Sequence, residues 1–252
     1  MSLVKGTVAV TGANRGIGAA IALALAREGY RVACLTRSGS LPYVGTEQAL
    51  RERLLPLRCD AQDESAVAAA LAQAAEGEGA GEGGLVGLVN NAGLHTSAKS
   101  AELATAEYER VMAINATAVF TVARAAYPHL VRAGGGLIVN IGSFFDKLGV
   151  KRNLAYCASK AAVGAITRCL AVEWAAQNIR VVDVAPGYIL TDLNRDILAA
   201  GPLREYLDKR IPAGKPGSAD EVARLVAALF RENLGFLSGE TIYVDGAQGI
   251  AH

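Results

Sequence analysis

Charge of either sign in excess is missing from this chain: 25 Lys and Arg stand against 24 Asp and Glu, leaving a formal net charge of +1. A surface this balanced has no stripe to neutralise phosphates and no acidic or basic tail, so neither nucleic acid nor an acidic partner is expected. No run approaches the ~20 apolar residues that cross a bilayer, and no membrane partner is expected either. The start, MSLVKGTVAVTG, lacks the charged n-region, long apolar h-region and cleavage site of a secretory leader. The expectation is a soluble, cytoplasmic protein. Metal-ligand spacing is absent as well: His95, His129 and His252 lie far apart, and Cys34, Cys59, Cys157 and Cys169 form no CxxC pair. No metal is expected, and the cysteines, set in apolar periodic segments, read as reduced, buried small residues. Internal repeats and dividing linkers are also lacking.

What is present is apolar material, 52% of 252 residues, enough for a single core in one domain spanning 1–252. Short runs rich in Val, Ile and Leu recur at 7–11, 31–36, 55–59, 85–90, 137–141, 180–185 and 241–244. Most are apolar without alternation, the pattern of strands buried on both faces of a parallel sheet. Between them, segments 17–28, 64–75, 107–132, 154–177 and 219–230 are long enough for crossover helices. Strand and helix alternate, which predicts an α/β fold: one doubly wound parallel sheet of about seven strands with helices on both faces. Two segments depart from the alternation. EGEGAGEGG at 76–84 is too rich in Gly for regular structure and reads as a flexible surface loop. The stretch 190–216 reads as a substrate lid.

The first predicted strand runs into TGANRGIG, residues 11–18, and then into a helix. Glycines at 12, 16 and 18 let backbone approach a pyrophosphate closely, and a helix N-terminus offers free N–H groups and partial positive charge. The spacing departs from GxGxxG, so placement after the first strand carries the argument for a dinucleotide. An NAD enzyme puts Asp or Glu at the end of the second strand, on the ribose hydroxyls. Here stand Thr36, Arg37 and Ser38. With no carboxylate to repel a 2′-phosphate and Arg37 and Arg15 able to grip one, NADP(H) is the expected cofactor.

Tyr156 and Lys160 are four residues apart at the start of a helical segment and therefore share a face. A phenol with an ordinary pKa of about 10 needs a shift of roughly 2–3 units to act as an acid/base near neutrality. A nearby ammonium and the positive charge of oxidised nicotinamide are the groups that would lower it. Ser143 ends the fifth predicted strand at its carboxyl edge, where ligands bind in such sheets, and its hydroxyl suits polarising a carbonyl.

At this point the chain resembles the short-chain dehydrogenase/reductase family over essentially its whole length. The matches are TGANRGIG at 11–18, Asp60, NNAG at 90–93, Asn115, Ser143, YCASK at 156–160 and PG at 186–187, in the family's order and spacing. The resemblance implies that Tyr156 exchanges a proton with the substrate oxygen and that Ser143 orients that oxygen. Lys160 would bind the nicotinamide ribose and depress the tyrosine pKa, and Asn115 would hold a water leading to a proton relay. Gly12, Asn14, Arg15, Gly16, Ile17 and Gly18 would contact phosphates and adenosine, and Asp60 would face adenine. Asn90, Ala92 and Gly93 would support the ribose. Pro186, Gly187, Ile189 and Thr191 would close over the nicotinamide amide. The family transfers hydride directly, without metal. It also points to helices near 111–132 and 154–177 as the interface of a homotetramer, in keeping with the few charges those segments carry.

The function this predicts is reduction of a small-molecule carbonyl to an alcohol, or the reverse, with Phe145 and Tyr188 joining Ser143 and Tyr156 around the substrate. Neighbours such as Leu94, His95, Phe144 and Leu193 favour a mid-sized, uncharged compound, while Lys147, Lys151 and Arg152 are placed to receive an anionic group instead. VAPGYILTDL and IPAGKPGSADEVA also resemble a 3-oxoacyl-[acyl-carrier-protein] reductase of fatty acid synthesis. Gly134 and Gln177 stand where such enzymes place basic residues for the acidic carrier. A non-catalytic NADP(H)-sensing regulator is the third reading, and retention of both Tyr156 and Lys160 argues against it.

Overall fold

The computed structural model describes residues 6–42, 47–76, 83–192 and 201–251. Its strands are β1 (Thr7–Thr11), β2 (Arg31–Thr36), β3 (Leu54–Arg58), β4 (Leu85–Asn90), β5 (Gly136–Ile141), β6 (Ile179–Pro186), β7 (Ile189–Leu190), β8 (Gly217–Ser218) and β9 (Thr241–Val244). Seven of them form one sheet in the order β3-β2-β1-β4-β5-β6-β9, parallel throughout, while β7 and β8 pair with each other. The helices are α1 (Gly16–Arg27), α2 (Gln48–Arg51), α3 (Glu64–Glu76), α4 (Thr105–Met112), α5 (Ala118–Arg132), α6 (Leu154–Glu173), α7 (Pro202–Arg210) and α8 (Ala219–Glu232).

Two apolar layers explain why the strands do not alternate. On one face Ile21 and Leu25 of α1 and Val222, Val226 and Phe230 of α8 pack on Val8, Val10, Val139 and Val184. On the other, Leu71 of α3, Val122 and Leu130 of α5 and Leu170 of α6 cover Ala9, Leu35, Leu88, Ile138 and Val181. Each large side chain so buried contributes about 1.5–3 kcal/mol relative to exposure. The strand order reverses between β1 and β4, so the crossovers diverge there and leave a crevice beyond the carboxyl ends of the strands.

Two expectations change in detail. Segment 107–132, predicted as one helix, is α4 and α5 joined by a π-helical turn over Ala113–Thr117. Segment 154–177 is helical only to Glu173; a 3-10 turn at Ala175–Gln177 follows and ends on Asn178 at φ 57. Most of the predicted loop at 76–84, and residues 193–200 of the predicted lid, lie outside the described residues; the rest of the lid contains α7. Among the described residues no helix is long and apolar enough to cross a membrane.

Candidate active site

The turn after β1 is held from below by the loop after β4. Thr11 Oγ1 accepts from the amides of Asn91 (2.9 Å) and Ala92 (3.0 Å), and the Asn91 side chain donates to the Thr11 carbonyl at 2.9 Å. Gly12 and Gly16 sit at φ +65 and +56, where a side chain is strained. A Cβ on Gly18 would lie 2.3 Å from both the Gly12 carbonyl oxygen and the Asn91 side chain, so the closeness of turn and helix requires glycine.

The first turn of α1 has neither a capping side chain at Arg15 nor an acidic residue. By contrast, α8 is closed by a full capping box of Ser218 and Glu221 with Asp220 beside it. Uncapped N–H groups on a long helix, reached by a glycine turn, suit a pyrophosphate. Asn14 donates to Ser40 Oγ at 3.2 Å, and Ser40 Oγ lies 2.6 Å from Ser38 Oγ, so a polar rim joins this turn to the exit of β2. Arg15 and Arg37 are exposed on that rim. Asp60 follows β3, its carboxylate accepting from the Gln62 amide. Across the crevice, the Thr191 side chain is 3.7 Å from where a Gly16 Cβ would stand.

Not every predicted cofactor residue turns its side chain to the crevice. Asn90 is buried and donates to Asn140 Oδ1 at 3.0 Å, and Asn140 in turn donates to Thr167 of α6 at 2.9 Å. This chain is a strut between the strands and α6. Ile189 packs in the core with α1 and α8, and its backbone pairs with Gly217 of β8. Pro186 is buried at the end of β6, and Gly187 is fixed by its amide to the Val244 carbonyl, 2.9 Å away.

The reacting end is assembled from β5, α5's approach and α6. Ser143 follows β5 in extended conformation and caps the 3-10 turn Phe144–Lys147, accepting from the Phe145 amide at 3.3 Å. Ser143 also favours the ionised form of the Tyr156 phenol. Lys160, one turn along α6, is buried, its Nζ donating to the Ile141 carbonyl at 2.7 Å and lying 5.8 Å from the Tyr156 ring centroid. Asn115 sits in the π-helical turn with its side chain fully engaged: Oδ1 accepts from the Leu94 amide, and Nδ2 donates to the Leu94 carbonyl and to Ser159 Oγ. Ser159 donates to the Tyr156 carbonyl at 2.8 Å, so Asn115 ties the loop after β4 to the turn that carries the tyrosine. His95 and Phe145 flank the phenol edge-on, at 4.9 and 5.9 Å between centroids, and Tyr188 meets Phe145 at 6.1 Å. Gly93, exposed, opens the loop toward Lys160.

Electrostatics correct one expectation. Burial pushes the Tyr156 phenol above its ordinary value, and the opposing influence is the Ser143 hydrogen bond rather than Lys160. Lys160 is itself pulled down to about 8 by burial, with Asp183 working against that shift. Asp183 and Ser40 were not singled out from sequence. An acid inside the otherwise apolar strand VVDVAP is the signal that would have found the first.

The arrangement offers a proton donor, a hydroxyl beside it to hold an oxygen and an aromatic wall, next to a crevice suited to a dinucleotide. A family model described as Enoyl-(Acyl carrier protein) reductase matches residues 12–247. The 3-oxoacyl-[acyl-carrier-protein] reductase MabA of Mycobacterium tuberculosis is 36% identical over 252 residues, 99% of this chain and 95% of that protein. A short-chain type dehydrogenase/reductase from Mycobacterium marinum superposes with a TM-score of 0.85 at 30% identity, covering 99% of this chain and 98% of the other. A solved structure from Agrobacterium tumefaciens with bound NADP does so at 0.84 and 32% identity, covering 98% and 97%. The chain therefore belongs to the short-chain dehydrogenase/reductase family and is an oxidoreductase that works with a nicotinamide cofactor.

Proposed function

We propose that this protein reduces a mid-sized, uncharged carbonyl compound to an alcohol, or runs the reverse, with NADP(H) preferred over NAD(H). The observation that carries the reading is Ser143 acting on the Tyr156 phenol at the carboxyl edge of the sheet, with Lys160 buried one helical turn behind. Tyr156 gives its proton to the substrate oxygen that Ser143 holds, and Lys160, buried behind the phenol, reaches toward the cofactor ribose. Asn115 keeps the Tyr156 turn in place. When bound, the cofactor supplies or accepts the hydride. Its phosphates are held by the turn from Gly12 to Gly18, with Asn14, Arg15 and Ile17. Arg37 and Ser38 grip the 2′-phosphate, Asp60 faces adenine, and Asn90, Ala92 and Gly93 support the ribose. Pro186, Gly187, Ile189 and Thr191 close over the nicotinamide amide.

The wall of His95, Phe145 and Tyr188 favours an apolar, unsaturated or ring-bearing substrate over a charged one. We take residues 1–252 as a single domain whose lid spans 190–216, and the protein as a cytoplasmic homotetramer. Support for assembly lies on α5 and α6, which leave Phe120, Val131, Leu154 and Val172 exposed. The test is a panel of neutral ketones, diketones, keto acids and acetoacetyl thioesters followed by NADPH absorbance. Neutral ketones are expected to turn over best. Preference for the thioester would instead support the activity named for MabA, and no turnover with any carbonyl would overturn the reading.

A further inference from the structure

We propose that Asp183 is a positioning residue of this site, the buried carboxylate that holds Lys160 in its charged form behind Tyr156. The proposal rests on the reading above only in taking Lys160 as part of the site.

Asp183 is fully buried in β6 between Val182 and Val184. A carboxylate in such a place is costly unless a cation and hydrogen bonds compensate it. Thr241 of β9 donates to its Oδ2 at 3.2 Å, and the Gly142 amide also stabilises the charge, while Oδ1 has no hydrogen-bond partner. The carboxylate lies hard against Gly142, where a Cβ would stand 2.5 Å from Oδ1. One residue earlier, the Ile141 carbonyl receives the Lys160 ammonium. Acid and base therefore bear on consecutive residues immediately before Ser143.

The other titratable groups around Asp183 cannot replace Lys160. Asp146, on the 3-10 turn after β5, opposes its ionisation. Tyr243 of β9 gives its hydroxyl to Asp146 at 2.8 Å, and Asp245 acts on Tyr243. Among the described residues the cation acting on Asp183 is Lys160. Burial raises Asp183 to about 6 and lowers Lys160 to about 8, each charge opposing the other's shift, so both are ionised between those values. Without the carboxylate, Lys160 loses its proton at lower pH.

Thermal melts of the cofactor-free protein against pH read both groups. Native Asp183 keeps a proton that the unfolded chain has lost between 3.8 and about 6, so its contribution to stability falls as pH rises through that window. Native Lys160 has lost a proton that the unfolded chain keeps between about 8 and 10.5, so its contribution rises there. Subtracting the Asp183→Asn curve from the wild type isolates these limbs. The variant is expected to lose the falling limb and to begin the rising limb at least about one pH unit lower. A folded variant whose rising limb still starts near pH 8 would overturn the proposal. Should Asp183→Asn fail to fold, Thr241→Val removes the Oδ2 donor and should move the falling limb to higher pH; an unmoved limb there counts against the proposal equally. Melting requires no turnover, so failure of every carbonyl in the panel would damage the functional reading and leave this test intact.

Discussion

At the β1 end of the crevice the chain offers backbone: uncapped amides of α1, glycines at positive φ, and a turn fixed by Thr11 and Asn91. At the β5 end it offers side chains, and Ser143, Lys160 and Asp183 are all buried titratable or hydroxyl groups with few hydrogen bonds to spare. The first end holds charge by geometry that survives changes of side chain. The second sets proton affinities by desolvation, so a change of one group alters the chemistry of its neighbours. Binding and reaction are thus expected to be separable by mutation.

The largest effect should come from Tyr156→Phe. Turnover is expected to fall about 10²–10⁴-fold, the usual contribution of a positioned acid/base. NADPH affinity by fluorescence and the melting temperature should stay near wild type. Loss of binding together with turnover would merge the two ends. Arg37→Asp tests the opposite end. A charge-assisted contact contributes roughly 1.5–3 kcal/mol, so the NADPH-over-NADH ratio of kcat/KM should drop on the order of ten- to a hundredfold. Turnover at saturating cofactor should hold; a fall in kcat without a change in preference would contradict the assignment of Arg37.

Gly18→Ala sharpens the claim that the first end is built by close approach. The added Cβ must displace the Gly12 carbonyl or Asn91. Overpacking of this kind costs about 1–3 kcal/mol, at roughly 2–4 °C of Tm for each in a chain of this size. Unchanged melting and NADPH affinity would show that turn and loop give way freely. Ser40→Ala should have the smallest effect. Removing the hydroxyl between Asn14 and Ser38 is expected to weaken NADPH by a few-fold, in line with about 0.5–1.5 kcal/mol for one hydrogen bond, and to leave kcat alone.

The same division explains what could be read in advance. Non-alternating Val, Ile and Leu runs located the sheet strands to within a residue or two, because burial on both faces leaves a continuous apolar signal. Gly12, Ser143 and Tyr156 were legible because each sits close to where an element begins or ends, and Lys160 because it follows Tyr156 by one helical turn. The π-helical turn at Asn115 was not, since AINAT has the composition of ordinary helix and the extra residue per turn leaves no periodic mark over five positions. Ser40 escaped because its bonds to Asn14 and Ser38 depend on how two loops meet. Asp183 escaped for a different reason: the sequence shows an acid in a strand, but only packing beneath α6 brings it to Lys160. That packing also reversed the expected direction for Tyr156, whose burial outweighs the help it receives.

Isotope transfer tests the central claim most directly. Reduction of a ketone from the panel with 4-deuterated NADPH, in ordinary water, is predicted to leave one deuterium on the carbinol carbon of the alcohol when the labelled face is the one used. The two epimers of the label should differ completely, and Tyr156→Phe should form the same labelled product at a rate lower by about 10²–10⁴-fold. Alcohol free of deuterium from both epimers would contradict direct transfer. Labelled alcohol formed by the variant at the wild-type rate would contradict the role of Tyr156.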